Sequence, residues 1–386
     1  MARHDAIVLG LGAMGSAAAF QLAKRGLCVL GIDRYAPPHD RGSTHGDTRI
    51  TRLAIGEGAH YTPLVQRSHA IWREIERETG ASLLTRTGGL IVSSANKTAL
   101  THVDAFFANT VAAAEQHGIA HERLDATQIR RRFPMFAIQD DEFGYYEPEA
   151  GFVRPEACVA AQLDLARKHG AEIHTNETVL GFDWTADGVS VTTDKARYAA
   201  DKLIVAAGAW LPQLLGEKYA RFFKVYRQVQ FWFEFEGDIA PFRPDRFPVF
   251  IWELQRTRQG IYGFPAIDGA HSIKIATEQY AQTVAPDAVA DVTPEEIARM
   301  HRDLVAPWLA GVSSRCVRAA TCLYTVTPDF GFVIDFHPQS ERVILASPCS
   351  GHGFKHSAAT GEVLADMALG YESPFDLEPF RLGRFG

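Results

Sequence analysis

The sequence predicts an α/β fold: a Rossmann-like unit extended over a two-domain chain. Three observations carry that reading. A glycine loop, Gly10-Leu11-Gly12-Ala13-Met14-Gly15, lies between an apolar run and an alanine-rich stretch. A carboxylate, Asp33, closes the next apolar run. Strand-like runs of the same kind return only at residues 202–208 and 343–346, so the unit is assembled from separated parts of the chain. At 386 residues the chain is too long for one simple core, and two domains or one elaborate one are expected.

Each element has a local reason. Ala6 to Leu9 is short, apolar and β-branched, as a strand buried on both faces of a parallel sheet must be. Ser16 to Arg25 is rich in Ala, Leu and Gln and reads as a helix closed by Gly26. Leu27 to Ile32 is the second strand, which completes a βαβ unit. Within the loop, Gly10 permits the tight turn, Gly12 lets backbone approach a pyrophosphate, and Gly15 lets helix and strand pack closely. Phosphates then meet the free N–H groups and positive dipole of the helix N-terminus. Asp33 stands near the expected offset, about 20 residues on, for a carboxylate that binds ribose hydroxyls. Its charge disfavours a 2′-phosphate.

The motif alone does not separate NAD from FAD. An NAD domain usually continues as βαβ repeats, and this chain does not. Pro37-Pro38-His39 and the polar stretch Gly42 to Arg49 follow Asp33, a long irregular segment of the kind that tends to be functional. Lys202 to Gly208 is an apolar strand that runs into small residues and Trp210, suited to close approach of a ligand. Val343 to Ala346 precedes Ser350-Gly351-His352-Gly353-Phe354-Lys355.

Composition excludes several classes. The net charge is −7 with scattered basic residues, which argues against a nucleic-acid partner and a polybasic membrane anchor. No run of about 18 apolar residues suggests a transmembrane helix. The N-terminus enters a strand with no room for a secretory h-region, and a cytoplasmic location is expected. Five cysteines at irregular spacing, with no CxxC, read as thiols in a reducing compartment and not as a disulfide framework or metal site.

The separated parts resemble the monomeric sarcosine oxidase and N-methyltryptophan oxidase family, within the glycine/D-amino-acid oxidase class of flavoproteins. The matching blocks are Gly10–Gly15, His45-Gly46-Asp47-Thr48-Arg49-Ile50-Thr51-Arg52, Gly56-Glu57-Gly58, Tyr262-Gly263-Phe264-Pro265, Ile273-Lys274-Ile275, Cys322-Leu323-Tyr324-Thr325 and Ser350 to Lys355, in family order along nearly the whole chain. The resemblance implies an FAD domain and a substrate domain whose mixed β-sheet roofs the flavin. Segments 1–85, 145–215 and 320–386 are expected to build the first, and 86–144 and 216–319 the second. It implies oxidation of a secondary amine of an N-methyl or cyclic α-amino acid by O₂, giving an imine and H₂O₂, by a monomer.

The resemblance also assigns residues. Cys322 matches the cysteine that forms a thioether to the flavin, although a lone cysteine is more commonly a small buried hydrophobe. Lys274 matches the oxygen-activating lysine. A lysine between isoleucines is otherwise often a solvated residue on an edge strand, but a fixed cation stabilises the anion formed when O₂ takes its first electron. Arg52 and Lys355 match the pair that holds the substrate carboxylate, a planar fork and a point charge. Arg49 and His45 are expected at the flavin face, and Tyr262 and Tyr324 in the pocket. Ala13, Met14, Val179, Gly208, Gly351, Gly353 and Phe354 complete the expected cofactor surroundings. No dedicated base is required if surrounding cations lower the bound amine's pKa.

The sequence departs from the family near this site. Glu278 stands where the family has a histidine, and would favour a more cationic or larger amine. Pro348-Cys349 and His356 also differ. The closing stretch Phe380 to Phe385 is more like the N-methyltryptophan branch. Two rivals remain: a flavin dehydrogenase with an acceptor other than O₂, and a non-catalytic dinucleotide-binding sensor.

Overall fold

In a computed structural model that describes residues 3–99 and 102–386, strand Arg3–Leu9 is the centre of a parallel sheet. Its order is Glu172–His174, Val29–Ile32, Arg3–Leu9, Arg197–Val205, Ser340–Ser347. Ala6, Ile7 and Val8 are wholly buried, because helices or loops cover both faces. Helices Ala13–Lys24, Thr62–Thr79, Pro155–Lys168 and Ser357–Leu369 share one core on one side. Leu211, Leu215, Tyr219 and Phe223 cover the other. A meander, Val179–Trp184 and Val189–Thr193, pairs antiparallel onto the N-terminal half of Arg197–Val205.

The expected α/β class holds, and the strands come from the separated segments that the sequence named. The first helix differs in one respect. It begins at Ala13, with Gly12 as its N-cap, and not at Ser16. The second half of the glycine loop is therefore already the first helical turn, which brings its N–H groups to the loop itself.

A second eight-stranded sheet is mixed and runs in the order Val312–Val326, Lys224–Phe235, Ser272–Ala276, Ile261–Gly263, Val249–Trp252, Gly89–Ser94, Glu142–Glu147, Glu122–Asp125. Alternation sorts its two faces. Val229, Phe231, Phe233, Ile273 and Ile275 enter a second core, so Trp232 and Lys274, one residue out of phase, point the other way. That other face looks toward the irregular segment after Asp33. The segment ends in strand Arg49–Thr51, paired with Gly151–Val153 in a three-stranded sheet that Leu84–Arg86 completes. Glu142–Glu147 and Val312–Val326 pair wholly in the second sheet, across positions 145 and 320.

The helix pair nearest the glycine loop is held by close backbone approach. A Cβ on Gly361 would lie 2.5 Å from the Cβ of Ala17. Gly361→Ala should therefore overpack this contact and cost about 1–3 kcal/mol, read as a lower urea midpoint at unchanged slope. An unchanged midpoint would remove the close approach as the reason for glycine there.

Candidate active site

Two cavities meet between the sheets. The first, about 1460 Å³ counted to its open mouth, runs along the C-terminal ends of the parallel strands. Gly10, Gly12, Ala13 and Met14 line one end, with Asp33, Val179 and Gly208 beside them. Gly351, Gly353 and Phe354 line the other end with Arg49. Gly15 stands behind the loop, where a Cβ would fall 1.7 Å from Gly10 O. In front of Gly12 a Cβ would meet only Thr44 Oγ1, at 3.6 Å. The helix N-terminus there has no side-chain cap and no acid in its first turn. An open backbone face, uncapped N–H groups and an elongated cavity fit a dinucleotide's pyrophosphate.

Asp33 has a second task. Its Oδ2 accepts from Leu11 N–H at 2.7 Å and its Oδ1 from Tyr35 N–H at 2.8 Å. The carboxylate thus ties the glycine loop to the strand end while still lining the cavity. The irregular segment also contributes wall residues, among them Tyr35, Pro38, Gly42, Ser43 and Thr44.

The second cavity, about 1090 Å³ counted the same way, shares Arg49, Tyr324, Gly351 and Phe354 with the first. Arg49 is fixed at this junction by donating to Thr48 O and Ser43 O, both at 2.8 Å. Tyr262, Lys274, Arg52, Lys355 and Glu278 all line the second cavity. The hydroxyls of Tyr262 and Tyr324 lie 3.3 Å apart. Burial raises both phenols above their ordinary range, with Cys322 adding to the shift of Tyr262 and the Tyr262 phenol to that of Tyr324, so both stay protonated.

Lys274 lies on an interior strand, paired on both sides, and is buried. The solvated edge-strand alternative for this lysine therefore does not apply. Its Nζ donates to Gly46 O at 2.7 Å and Thr48 O at 2.6 Å, and sits 4.2 Å from the ring centre of Phe264. Burial first, and then Arg49, push its pKa well below the ordinary 10.5.

Arg52 and Lys355 converge on Glu57. Arg52 Nη2 is 2.5 Å from Glu57 Oε2 and Lys355 Nζ is 3.8 Å from Glu57 Oε1, all three side chains being buried. Burial alone would raise the Glu57 carboxyl, but Arg52 and then Lys355 hold it well below its usual range. Burial lowers Lys355 to about 8, against the opposing pull of Glu57. Lys355 also donates to His352 O at 2.7 Å.

Two expected residues stand back from the cavity walls. His45 is buried among the loop residues, lines neither cavity, and its Nε2 finds no partner among the described residues. Burial and then Arg49 lower it to about 4, so the ring is neutral. Cys322 is buried in a cluster with Tyr324 and Cys349, one residue from Leu323, whose carbonyl accepts from Ser43 Oγ. It lies beside the wall, and is not among the residues lining the first cavity.

Glu278 is not the free carboxylate that the sequence suggested. His102 Nδ1 lies 2.9 Å from its Oε2. Burial would lower His102, but Glu278 outweighs it and raises the imidazole. The pair offsets much of the negative charge expected in the pocket. Sequence reading missed His102, which lies 176 residues away and carries no local signal. Glu57 stood only as the middle of a Gly-Glu-Gly block. Gln230, whose Oε1 finds no partner among the described residues, faces the same pocket and was also missed. No helix among the described residues is long and apolar enough to cross a membrane, and no cluster of metal-ligating side chains occurs among them.

Comparison with known proteins agrees with this geometry. A monomeric sarcosine oxidase of Streptomyces avermitilis is 41% identical over 376 residues, covering 95% of this chain and 94% of the relative. An N-methyl-L-tryptophan oxidase of Salmonella enteritidis PT4 is 35% identical over 390 residues, 99% of each chain. The solved structure of NikD, described as an unusual amino acid oxidase essential for nikkomycin biosynthesis, superposes with a TM-score of 0.84 at 25% identity, covering 99% of this chain and 98% of NikD. The sequence model described as FAD dependent oxidoreductase matches residues 5–367. With that match spanning all three sheets and both cavities, the chain belongs to the FAD-dependent oxidoreductase family, in company with the sarcosine and N-methyltryptophan oxidases.

Proposed function

We propose that this protein oxidises the secondary amine of an N-methyl or cyclic α-amino acid with O₂, releasing an imine and H₂O₂. The observation that carries the proposal is the junction. A cavity that fits a dinucleotide opens, at Arg49 and Tyr324, into a pocket whose lining includes the buried cations Arg52 and Lys355. FAD, when bound, would supply the two-electron redox chemistry between the amine and O₂. The backbone N–H groups of the glycine loop would hold its pyrophosphate, and Arg49, Tyr324, Gly351 and Phe354 would border the ring. A substrate carboxylate would bind Arg52 and Lys355 by charge-assisted hydrogen bonds in competition with Glu57. The same burial and cationic field that lower Lys274 and Lys355 would act on a bound ammonium, favouring the neutral amine that reacts.

The proposal extends to a thioether between Cys322 and the cofactor, supported by its place beside Ser43 and Tyr324. It also takes the enzyme to be a monomer, as the name of the monomeric sarcosine oxidase relatives says of them, and cytoplasmic, in keeping with five free thiols. The two sheets support a division into a cofactor part, 1–85, 145–215 and 320–386, and a substrate part, 86–144 and 216–319, adjusted where strands cross 145 and 320. A peroxide assay over sarcosine, N-methyltryptophan, pipecolate and proline tests the activity. No peroxide from any secondary amino acid sinks it.

Lys274 separates an oxidase from a dehydrogenase. Lys274→Met should leave anaerobic reduction by substrate fast and slow reoxidation severely. The charged lysine is the acid form and its pKa is depressed, so reoxidation should fall as pH rises through a value below 10.5. That limb should vanish in the variant. Unchanged reoxidation in Lys274→Met would favour the dehydrogenase reading.

Lys355→Met should weaken binding of a carboxylate substrate by about 10- to 100-fold, the worth of one hydrogen bond to a charged group at roughly 1.5–3 kcal/mol. In the wild type, affinity should drop as pH rises through about 8, because the group losing its proton is the one that attracts the anion. An equal loss for an amine that lacks the carboxylate would argue against this pairing.

Cys322→Ser should move the yellow colour from the pellet to the supernatant after acid precipitation. Yellow in the supernatant from the wild type would remove the covalent link.

A further inference from the structure

A third cavity, about 580 Å³ counted to its open mouth, reaches Lys274 from the side away from the substrate pocket. Its relation to the second sheet is specific. Val312–Val326 is an edge strand, Lys224–Phe235 is next, and Ser272–Ala276 is third. Arg318, Trp232 and Lys274 are directly paired across these strands and so form one row on one face. The cavity lies along this row and is roofed by Asp47 and Thr48 of the loop that binds the Lys274 ammonium. Apolar groups dominate its walls, among them Trp232, Phe264, Pro265 and Ile267. At the sheet edge, Arg318 stacks over Trp232 at 4.2 Å and pairs with Asp47 at 2.8 Å, beside a Val317 that is 47% exposed.

Thr48, Phe264 and Lys274 line both this cavity and the substrate pocket. They form the partition between the two. We propose that this cavity is the entry path and waiting site for O₂, which reaches Lys274 from the sheet edge without crossing the pocket that the amine fills. The inference rests on the oxidase reading and deepens it. The walls suit a small apolar gas, and the cation at the inner end is the group proposed to assist its reduction. Two electrons and two protons then convert O₂ to H₂O₂, the electrons coming from the reduced cofactor. An amine held at Arg52 and Lys355 leaves this route open, so O₂ has access whether the substrate pocket is full or empty.

The test uses the holoenzyme with two blocking variants. Val317→Trp narrows the mouth at an exposed position. Ser272→Phe fills the interior from the same face as Lys274, two residues away. Crystals of the wild type pressurised with xenon should hold the gas in this cavity, and both variants should lose it. The bimolecular rate of reoxidation by O₂ should drop several-fold in each, with anaerobic reduction by the amine unchanged. Should Ser272→Phe fail to fold, Val317→Trp alone decides. Reoxidation at the wild-type rate in a variant whose crystal shows the cavity blocked overturns the proposal. So does an equal fall in reduction and reoxidation, which would place the effect at the cofactor. Peroxide production that depends on Lys274 but ignores both blocks would retain the oxidase reading and reject the path. No peroxide from any amine would reject the reading itself.

Discussion

The loop from Gly46 to Thr48 is pinned from both sides, and the arrangement of the molecule depends on it. Its amides at Gly46 and Asp47 donate to Glu156 Oε1 at 2.5 and 3.1 Å, in the first turn of helix Pro155–Lys168. Its carbonyls at Gly46 and Thr48 accept from Lys274, on an interior strand of the second sheet. A buried ammonium is costly unless hydrogen-bonded, and in this structure those two carbonyls accept two of its three N–H bonds. The loop is thereby a peptide splint between the parallel sheet's helical layer and the mixed sheet. The first cavity lies on one side of it, and the second and third cavities are divided at Lys274 itself.

The same economy of charge organises the pocket. Arg52, Lys355 and Glu57 are all buried, and none would be tolerable alone. Together they keep two buried cations on one carboxylate, that of Glu57. Glu278 and His102 make a second neutralising pair beside that cluster, the His102 ring stacking 5.7 Å from His352, so a pocket that reads as acidic along the chain is electrostatically more balanced in space. Neutral hydrogen-bonding groups such as Gln230 face the same cavity.

The glycine-loop end was the most legible part. Its signals are local: glycines fix backbone geometry within six residues, apolar runs announce strands buried on both faces, and Asp33 closes the unit. The discontinuous assembly was also readable, because strand-like runs at 202–208 and 343–346 had no other sheet to join. Where the boundary was misjudged, at the start of the first helix, the cause was the loop itself serving as the first turn.

The sequence by itself determined that a glycine loop at Gly10–Gly15 joins the first strand to the first helix, that the sheet is built from distant segments, and that the residues proposed to carry the chemistry fall in a few blocks. Those properties follow from residue type and short spacing. Only the tertiary structure decided that Lys274 is interior and not on an edge, that Asp33 braces the glycine loop, that Glu278 meets His102, that Cys322 stands beside the cavity wall, and that a third cavity ends at Lys274. Each depends on which strands become neighbours and on which face a side chain leaves. Strand pairing across tens to hundreds of residues sets both, and no local pattern encodes it.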